Sequence, residues 1–334
     1  MSFIPPLYVA LVWLALMQAP TPSAGPKGML VVAEKAAQSL AIVDPTDGRM
    51  VASVPEGGIT GHEVAASADG RFAYVPIYGN SGVGLPGTDG RSMMVIDIAA
   101  RKVTGKVDLG NGVRPHLPVW GPDGLLYVTT ELDRSVTIVD PETLQIVGTI
   151  PTDQPESHML AISHDGRRGY TANVGPGTVS VLDLKARKVT AVIPVAKKTQ
   201  RISITMDDRM VFTADQAKPQ LAVIDTDINH VKSWIPLPGI GYGSAPTRDG
   251  HWLLIALPQA SKVAVIDLKQ LKVVRTIDVP PAPQAVLIGP DDKVAYASCD
   301  QSNQVAEIDL TAWKVRRLIR TGNSPDGMAW AGTK

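Results

Sequence analysis

The sequence predicts an all-β protein, a seven-bladed β-propeller with four antiparallel strands in each blade. Three observations lead to this prediction. An Asp that ends a hydrophobic strand recurs about every 42 residues, a tight turn recurs with the same period, and four short β-rich runs lie in each repeat. This is the period of a propeller blade, and such sheets bury both faces only when several pack around an axis.

The first repeated element is a hydrophobic strand that ends in Asp. The interval between successive copies is 42 or 43 residues, except for a first interval of 53. The seven copies end at Asp44, Asp97, Asp140, Asp183, Asp225, Asp267 and Asp309.

The second repeated element is a tight turn built on Asp, most often followed by Gly. Its copies are also 42 residues apart after a first interval of 54, so two independent markers share one period. They centre on Asp69, Asp123, Asp165, Asp207, Asp249 and Asp291. In the third complete repeat, turn residues separate four predicted strands, as antiparallel hairpins require. Those strands are 158–163, 168–173, 178–183 and 188–193.

The chain ends are predicted to close the ring. Six blades are continuous, and the seventh is split between three strands in 29–54 and an inner strand in 326–331. Pairing the two chain ends leaves no sheet edge open. We therefore expect residues 27–334 to form a single domain.

The first 26 residues are excluded from this domain. No Asp, Glu, Lys or Arg occurs before Lys27, and Leu7–Met17 is an uninterrupted apolar run. The run resembles the hydrophobic part of a secretory signal and is short for a membrane span, which needs about 20 apolar residues. Residues 1–26 are predicted to be a signal peptide, with an uncleaved anchor as the alternative because no Lys or Arg precedes the run. Both predict an exported protein, periplasmic or extracellular.

Composition excludes several classes of function. The 334 residues carry no net charge, which argues against a nucleic-acid partner because phosphate recognition needs a basic surface. A single Cys excludes a disulfide scaffold and an iron–sulfur site. Neither a CxxCH haem motif nor a phosphate-binding P-loop motif occurs.

The repeats resemble the YVTN repeat of YncE-like and lactonase-like seven-bladed propellers. The resemblance is carried by Tyr127-Val128-Thr129-Thr130 and Tyr170-Thr171-Ala172-Asn173, each ten residues before the strand-ending Asp. It implies the propeller fold over about 28–331 and permits lactone hydrolysis. That family also contains exported binding proteins, so the fold alone does not select a function.

Three histidines share one position in the repeat. His62, His116 and His158 each lie seven residues before a turn Asp, where the inner strand begins at the mouth of the central channel. Three converging imidazoles suit Zn, Cu or Fe and leave a coordination position open for water or substrate. A polar rim without metal is the alternative. The same position in the other blades holds Gln200, Tyr242, Gln284 and Asp326.

Further polar residues are expected around this mouth. Glu63 is predicted as a base or an additional ligand, and Arg201 and Tyr242 as groups that orient a substrate. Arg114 and Glu131 are also expected at the mouth. The only Cys, Cys299, is expected across the ring as a packed thiol.

An insertion lengthens the top loop of one blade. It runs from Tyr78 to Ser92, contains five glycines, and lies between His62 and His116 in the chain. It is interpreted either as a lid over the mouth or as a tolerated surface insertion.

Two enzymatic functions and one binding function follow from these residues. A divalent transition metal would support lactonase-like hydrolysis or copper-type oxidation of a small molecule. The alternative is a non-catalytic scaffold that binds a ligand, peptide or protein with the same face. The protein is expected to be a monomer, and membrane contact is expected only if residues 1–26 are retained.

Overall fold

The computed structural model describes Met1 and residues 28–332, and residues 29–331 form seven four-stranded sheets arranged as the blades of a propeller. The predicted signal peptide or anchor, 1–26, lies outside the described residues apart from Met1. Among the residues described, no helix is long and apolar enough to cross a bilayer.

The strands, numbered in chain order, are grouped into blades 1 to 7. Blade 1 contains β1 (Met29–Glu34), β2 (Ser39–Asp44), β3 (Arg49–Pro55) and β28 (Pro325–Ala331); blade 2 contains β4 (Ala65–Ala66), β5 (Phe72–Gly79), β6 (Asp89–Asp97) and β7 (Lys102–Asp108); blade 3 contains β8 (Pro115–Trp120), β9 (Leu126–Thr130), β10 (Ser135–Asp140) and β11 (Gln145–Pro151); blade 4 contains β12 (Ser157–Ile162), β13 (Arg168–Asn173), β14 (Thr178–Asp183) and β15 (Lys188–Pro194). Blade 5 contains β16 (Thr199–Ile204), β17 (Met210–Asp215), β18 (Gln220–Asp225) and β19 (His230–Pro236); blade 6 contains β20 (Ser244–Pro246), β21 (Trp252–Leu257), β22 (Lys262–Asp267) and β23 (Lys272–Asp278); blade 7 contains β24 (Pro283–Ile288), β25 (Val294–Cys299), β26 (Gln304–Asp309) and β27 (Lys314–Arg320).

The predicted fold class and ring closure are both confirmed. Blade 1 is completed by the C-terminal strand β28, which pairs antiparallel with β1 from Met29↔Ala331 to Val32↔Met328. The strands predicted for the third complete repeat match β12 to β15 to within one residue at each end.

The hydrophobic core lies between neighbouring blades. Side chains from two adjacent sheets interdigitate, as Phe212 and Val223 of blade 5 do with Leu253 and Ile266 of blade 6, and all four are fully buried. The outermost strand of each blade faces solvent on one side, so exposure alternates along it. Each blade therefore depends on both neighbours to bury its faces.

Strand pairing is irregular where the inner strands begin. Register shifts occur at this point, for example between Pro115 and Pro118 and between Gln200 and Ser203. Arg114 and Arg201 have left-handed backbone conformations there, with φ of 48° and 61°. Bulges of this kind turn side chains out of the regular alternation. They decide which residues face the channel mouth.

Candidate functional site

The structure brings the three predicted histidines together at the channel mouth. Their rings come from blades 2, 3 and 4, and the centroid of His116 lies 5.4 Å from that of His62 and 3.6 Å from that of His158. The shared repeat position therefore becomes a spatial cluster, which we call the histidine cluster (His62, His116 and His158).

The histidine cluster is neutral at physiological pH. His116 and His158 are almost fully buried, and His62 is half-buried. Burial disfavours the charged imidazolium. It lowers the pKa of His62 to about 4, holds the pKa of His116 well below its ordinary value, and lowers that of His158. Neutral imidazole is the form that binds a metal ion.

The ring orientations do not form a ready chelate. The planes of His116 and His158 are only 32° apart and the rings are stacked, so their in-plane lone pairs do not converge on one point. Among the described residues, no three His, Cys, Asp or Glu side chains are placed to hold a metal ion together. One ion could bind all three histidines only after His116 or His158 rotates.

Tyr78 is a fourth member of this site that sequence reasoning did not single out. Its ring centroid lies 4.8 Å from that of His62 and 5.2 Å from that of His116. The side chain is fully buried, and its hydroxyl donates a 2.6 Å hydrogen bond to Oε2 of Glu131. In the sequence Tyr78 only begins the insertion, where the repeat pattern is interrupted and predicts no side-chain direction.

Glu131 connects the histidine cluster to Arg114. Its Oε2 also lies 3.1 Å from Nδ1 of His158, and its Oε1 lies 3.5 Å from Nη1 of Arg114. Burial works to raise the pKa of Glu131, but hydrogen bonds from His158 and Tyr78 outweigh it and hold the pKa below its usual value. Glu131 is therefore an ionised, buried carboxylate.

The insertion lies over blades 3 and 4. It is shorter than the sequence indicated, because β5 continues to Gly79 and β6 begins at Asp89. We call residues 80–88 the lid loop. Arg114 anchors it by donating to the carbonyl of Leu85 at 2.6 Å and to Oδ1 of Asp89, also at 2.6 Å. The backbone N–H of Gly84 donates to Glu131 Oε1 at 3.3 Å, so the loop contacts the group that binds His158.

The residues predicted to act on a substrate form an ion-pair cluster elsewhere in the mouth. Arg201 donates to Glu63 and, at 2.9 Å, to Oδ1 of Asp326. Its guanidinium lies 4.7 Å from the ring centroid of Tyr242. Lys35 adds a contact of 3.2 Å to Asp326. The two terminal nitrogens of Arg201 are thus engaged within the protein, while its buried Nε has no hydrogen-bond partner in the part of the chain that the structure describes.

The two carboxylates of this ion-pair cluster, Glu63 and Asp326, have pKa values that are shifted in opposite directions. Burial raises the pKa of Glu63 to about 7 despite the contact with Arg201. For Asp326, burial works in the same direction, but Lys35 and Arg201 prevail and lower the pKa. Cys299 is buried, its pKa is raised by burial to about 12, and it contacts none of these groups.

Glu56 is a further buried carboxylate, one that the sequence did not reveal. It is fully buried, and its Oε2 accepts the N–H of Gly61 at 2.8 Å, one residue before His62. Its Oε1 has no hydrogen-bond partner among the described residues. Burial raises its pKa to about 7.

We expect Glu56→Gln to stabilise the protein at pH 8 by roughly 1–3 kcal/mol and to have little effect at pH 5. A carboxyl with a raised folded-state pKa favours folding at low pH and loses that contribution as pH rises through about 7. The uncharged amide in the Glu56→Gln variant makes no such pH-dependent contribution to stability. Denaturant unfolding at both pH values measures the difference, with the exposed Glu142→Gln as control. An equal effect at both pH values would contradict the assignment.

Comparisons with known proteins agree on the fold. No protein-family model and no curated protein sequence matches the chain. Among solved structures, hydrazine synthase from Kuenenia stuttgartiensis is similar with a TM-score of 0.74 and 19% identity, over 89% of this chain and 99% of that one. A functionally unknown protein from Desulfotomaculum acetoxidans gives 0.76 and 14%, over 92% and 100%. The dihydro-heme d1 dehydrogenase NirN gives 0.66 and 15%, over 93% and 77%. At these identities the likeness establishes the propeller fold only.

Proposed function

We propose that the protein binds a divalent transition metal ion, Zn, Cu or Fe, through His62, His116 and His158, and that a small molecule binds or reacts beside it at the channel mouth. The observation that carries this proposal is the contact of three neutral imidazoles from adjacent blades. Nδ1 of His116 supports it further, because this nitrogen is buried and has no hydrogen-bond partner among residues 28–332. A metal ion bound there would remove the cost of leaving a polar atom unpaired.

Access to the site is asymmetric. The lid loop covers the side of the mouth formed by blades 3 and 4, where His116 and His158 are buried. His62 and the mouth residues of blades 5 to 7 are half-buried instead. Those residues are Gln200, Tyr242 and Gln284. A small molecule would therefore approach from blades 5 to 7 and meet the ion beside His62.

The chemistry depends on which ion binds. A Lewis-acidic ion would activate water and polarise a carbonyl, as lactonase-like hydrolysis requires, whereas copper would support oxidation. The residues of the chain would supply orientation. Tyr242 and Gln200 are linked by a 2.9 Å hydrogen bond and present polar groups to the mouth. Glu63, next to His62 in the chain, is the proposed base.

We also propose that the chain is a divergent YVTN-repeat propeller. The 42-residue period and the positions of Tyr127 on β9 and Tyr170 on β13, the second strands of their blades, support this relationship. Lactonase-like hydrolysis is the activity that such a relationship favours.

Elemental analysis of the purified protein tests the metal proposal. We expect about one transition metal ion per chain in the wild type, and a loss of at least ten-fold in metal content in His116→Ala. His251→Ala is the matched control, because His251 is exposed on the opposite face of the propeller. Absence of metal from the wild type, even after incubation with Zn²⁺, Cu²⁺ and Fe²⁺, would refute the proposal. The ion found then selects the lactone-hydrolysis or the oxidation assay.

A metal-free binding propeller is the second candidate function. The stacking of His116 on His158 and the internal pairing of Arg201 favour it, because the two rings pack on each other and the charge of Arg201 is neutralised without an ion or a substrate. In that case the wild type remains without metal after incubation, and the mouth binds a ligand or a peptide through its polar rim.

A further inference from the structure

We propose that Glu131 is a positioning residue that fixes the proton of His158 on Nδ1 and links this histidine to the lid loop. The inference deepens the proposed function, on which its consequence for metal binding rests. Its consequence for the protonation of His158 does not depend on any bound ion.

The first step is the hydrogen bonding of Oε2. This oxygen accepts the hydroxyl of Tyr78 at 2.6 Å and lies 3.1 Å from Nδ1 of His158. An ionised carboxylate can only accept hydrogen bonds, so the neutral imidazole must carry its proton on Nδ1. The lone pair is then on Nε2, the atom left free to bind an ion. A carboxylate behind a histidine is a general way to orient a metal ligand and to increase its basicity.

The second step is the ionised state of Glu131. Three groups around its two oxygens donate whatever the tautomer of His158: the hydroxyl of Tyr78 at Oε2, and the N–H of Gly84 and the guanidinium of Arg114 at Oε1. A protonated carboxyl would place a hydrogen against one of these donors. The guanidinium of Arg114 also compensates the buried negative charge.

The third step is the link to the lid loop. Arg114 holds the loop through the carbonyl of Leu85 and through Asp89, and it also lies beside Oε1 of Glu131. Gly84 donates directly to the same oxygen. Space around Gly84 is restricted, because a Cβ added to this residue would lie 2.4 Å from Oε1 of Glu156. The lid loop and His158 thus contact the same carboxylate, that of Glu131.

Glu131→Gln separates these roles with almost no change in shape. The amide oxygen can face either Arg114 and Gly84 or His158 and Tyr78, and its NH₂ group must then face the other pair of donors. Arg114 carries the charge, so we expect the oxygen on its side and the NH₂ facing His158. Nδ1 of His158 then becomes an acceptor, and the proton moves to Nε2.

The experiment measures the tautomer and the metal affinity in the same variants. Long-range ¹H–¹⁵N NMR of metal-free protein should show Nδ1–H for His158 in the wild type and a large Nε2–H population in Glu131→Gln. Titration with Zn²⁺ should give a Kd roughly 10- to 100-fold weaker in the variant. Amide exchange in residues 80–88 should be faster in the variant than in the wild type. Asp133→Asn is the control, because Asp133 is exposed in the same turn and its carboxylate accepts the hydroxyl of Ser135 at 3.0 Å.

The outcomes distinguish this inference from the proposed function. If the wild type binds Zn²⁺ and Glu131→Gln has the same tautomer and Kd, the positioning role is refuted while the metal site stands. If the wild type binds no metal, the metal proposal is refuted, and the tautomer and amide exchange still decide whether Glu131 positions His158. If the variant does not fold, as circular dichroism would show, the tautomer of His158 in the wild type decides the proposal. Nδ1–H on His158 would support the positioning role, and Nε2–H would refute it.

Discussion

Deletion of residues 325–334 is expected to abolish cooperative folding. The deleted segment contains β28, the inner strand of blade 1, which pairs with β1 and inserts Met328 and Ala331 into the cores on the two sides of that blade. Without it, the buried side chains of β1 lose a neighbouring strand and the ring opens between blades 1 and 7. Since a domain of this kind is stable by only about 5–15 kcal/mol, losing one strand from the closing sheet exceeds what it can tolerate.

Thermal unfolding followed by circular dichroism measures this effect, and a peptide supplies the control. A synthetic peptide of residues 325–334 added to the truncated chain should restore a cooperative transition, because the strand can pair in trans. The same peptide with Gly327→Val should fail. A Cβ at Gly327 would lie 2.4 Å from Oε2 and 2.6 Å from Cα of Glu63. A truncated chain that melts cooperatively near the wild-type temperature would show that ring closure is dispensable.

The fold was predictable because every blade needs the same types of residue at its strand ends and turns. A strand-ending Asp caps the following turn through its carboxylate, as Asp97 does for the N–H of Ala100 and Asp183 for that of Ala186. Residues required at fixed places in every blade produce a period that a single sequence reveals. The same reasoning located the split blade, because Asp326 continues the mouth position of the other inner strands.

The site was predictable only as far as the repeat extends. Position in the repeat brought His62, His116 and His158 to one place, and the structure confirms their contact. Position in the repeat could not predict the direction of a side chain where an inner strand begins irregularly. Arg201, expected to face a substrate, instead turns toward Glu63 and Asp326 from blades on the other side of the channel.

Tyr78 and Glu131 show a second reason why the site could be predicted only in part from the sequence. Tyr78 lies where the insertion interrupts the period, so no other blade offers a comparison. Glu131 could be placed at the mouth, but its polar partners come from distant parts of the chain. Contacts of this kind depend on the three-dimensional ring and leave no regular spacing in the sequence.

We expect Arg201→Met to destabilise the protein by about 3–5 kcal/mol, because removing one partner of a buried ion pair leaves its carboxylates uncompensated. Arg201, Glu63 and Asp326 are all nearly inaccessible to solvent. Arg91→Met is the matched control. Arg91 pairs with Asp108 at 2.5 Å, but both side chains are about half exposed, and such pairs contribute at most about 1 kcal/mol. Urea unfolding of the three proteins gives the comparison.

The double variant Arg201→Met, Glu63→Gln decides what Arg201 does. If Arg201 mainly neutralises the buried carboxylates, removing the charge of Glu63 should restore a large part of the lost stability, since only Asp326 then remains and Lys35 still lies 3.2 Å from it. If Arg201 is instead held ready for a substrate, the single variant should be close to wild type in stability, and its loss should appear in ligand binding. The geometry favours the first result, because both terminal nitrogens of Arg201 are already occupied by carboxylates of the chain. In that case Tyr242, which is half-buried and lies against the guanidinium, is the better candidate than Arg201 for orienting a substrate in the proposed function.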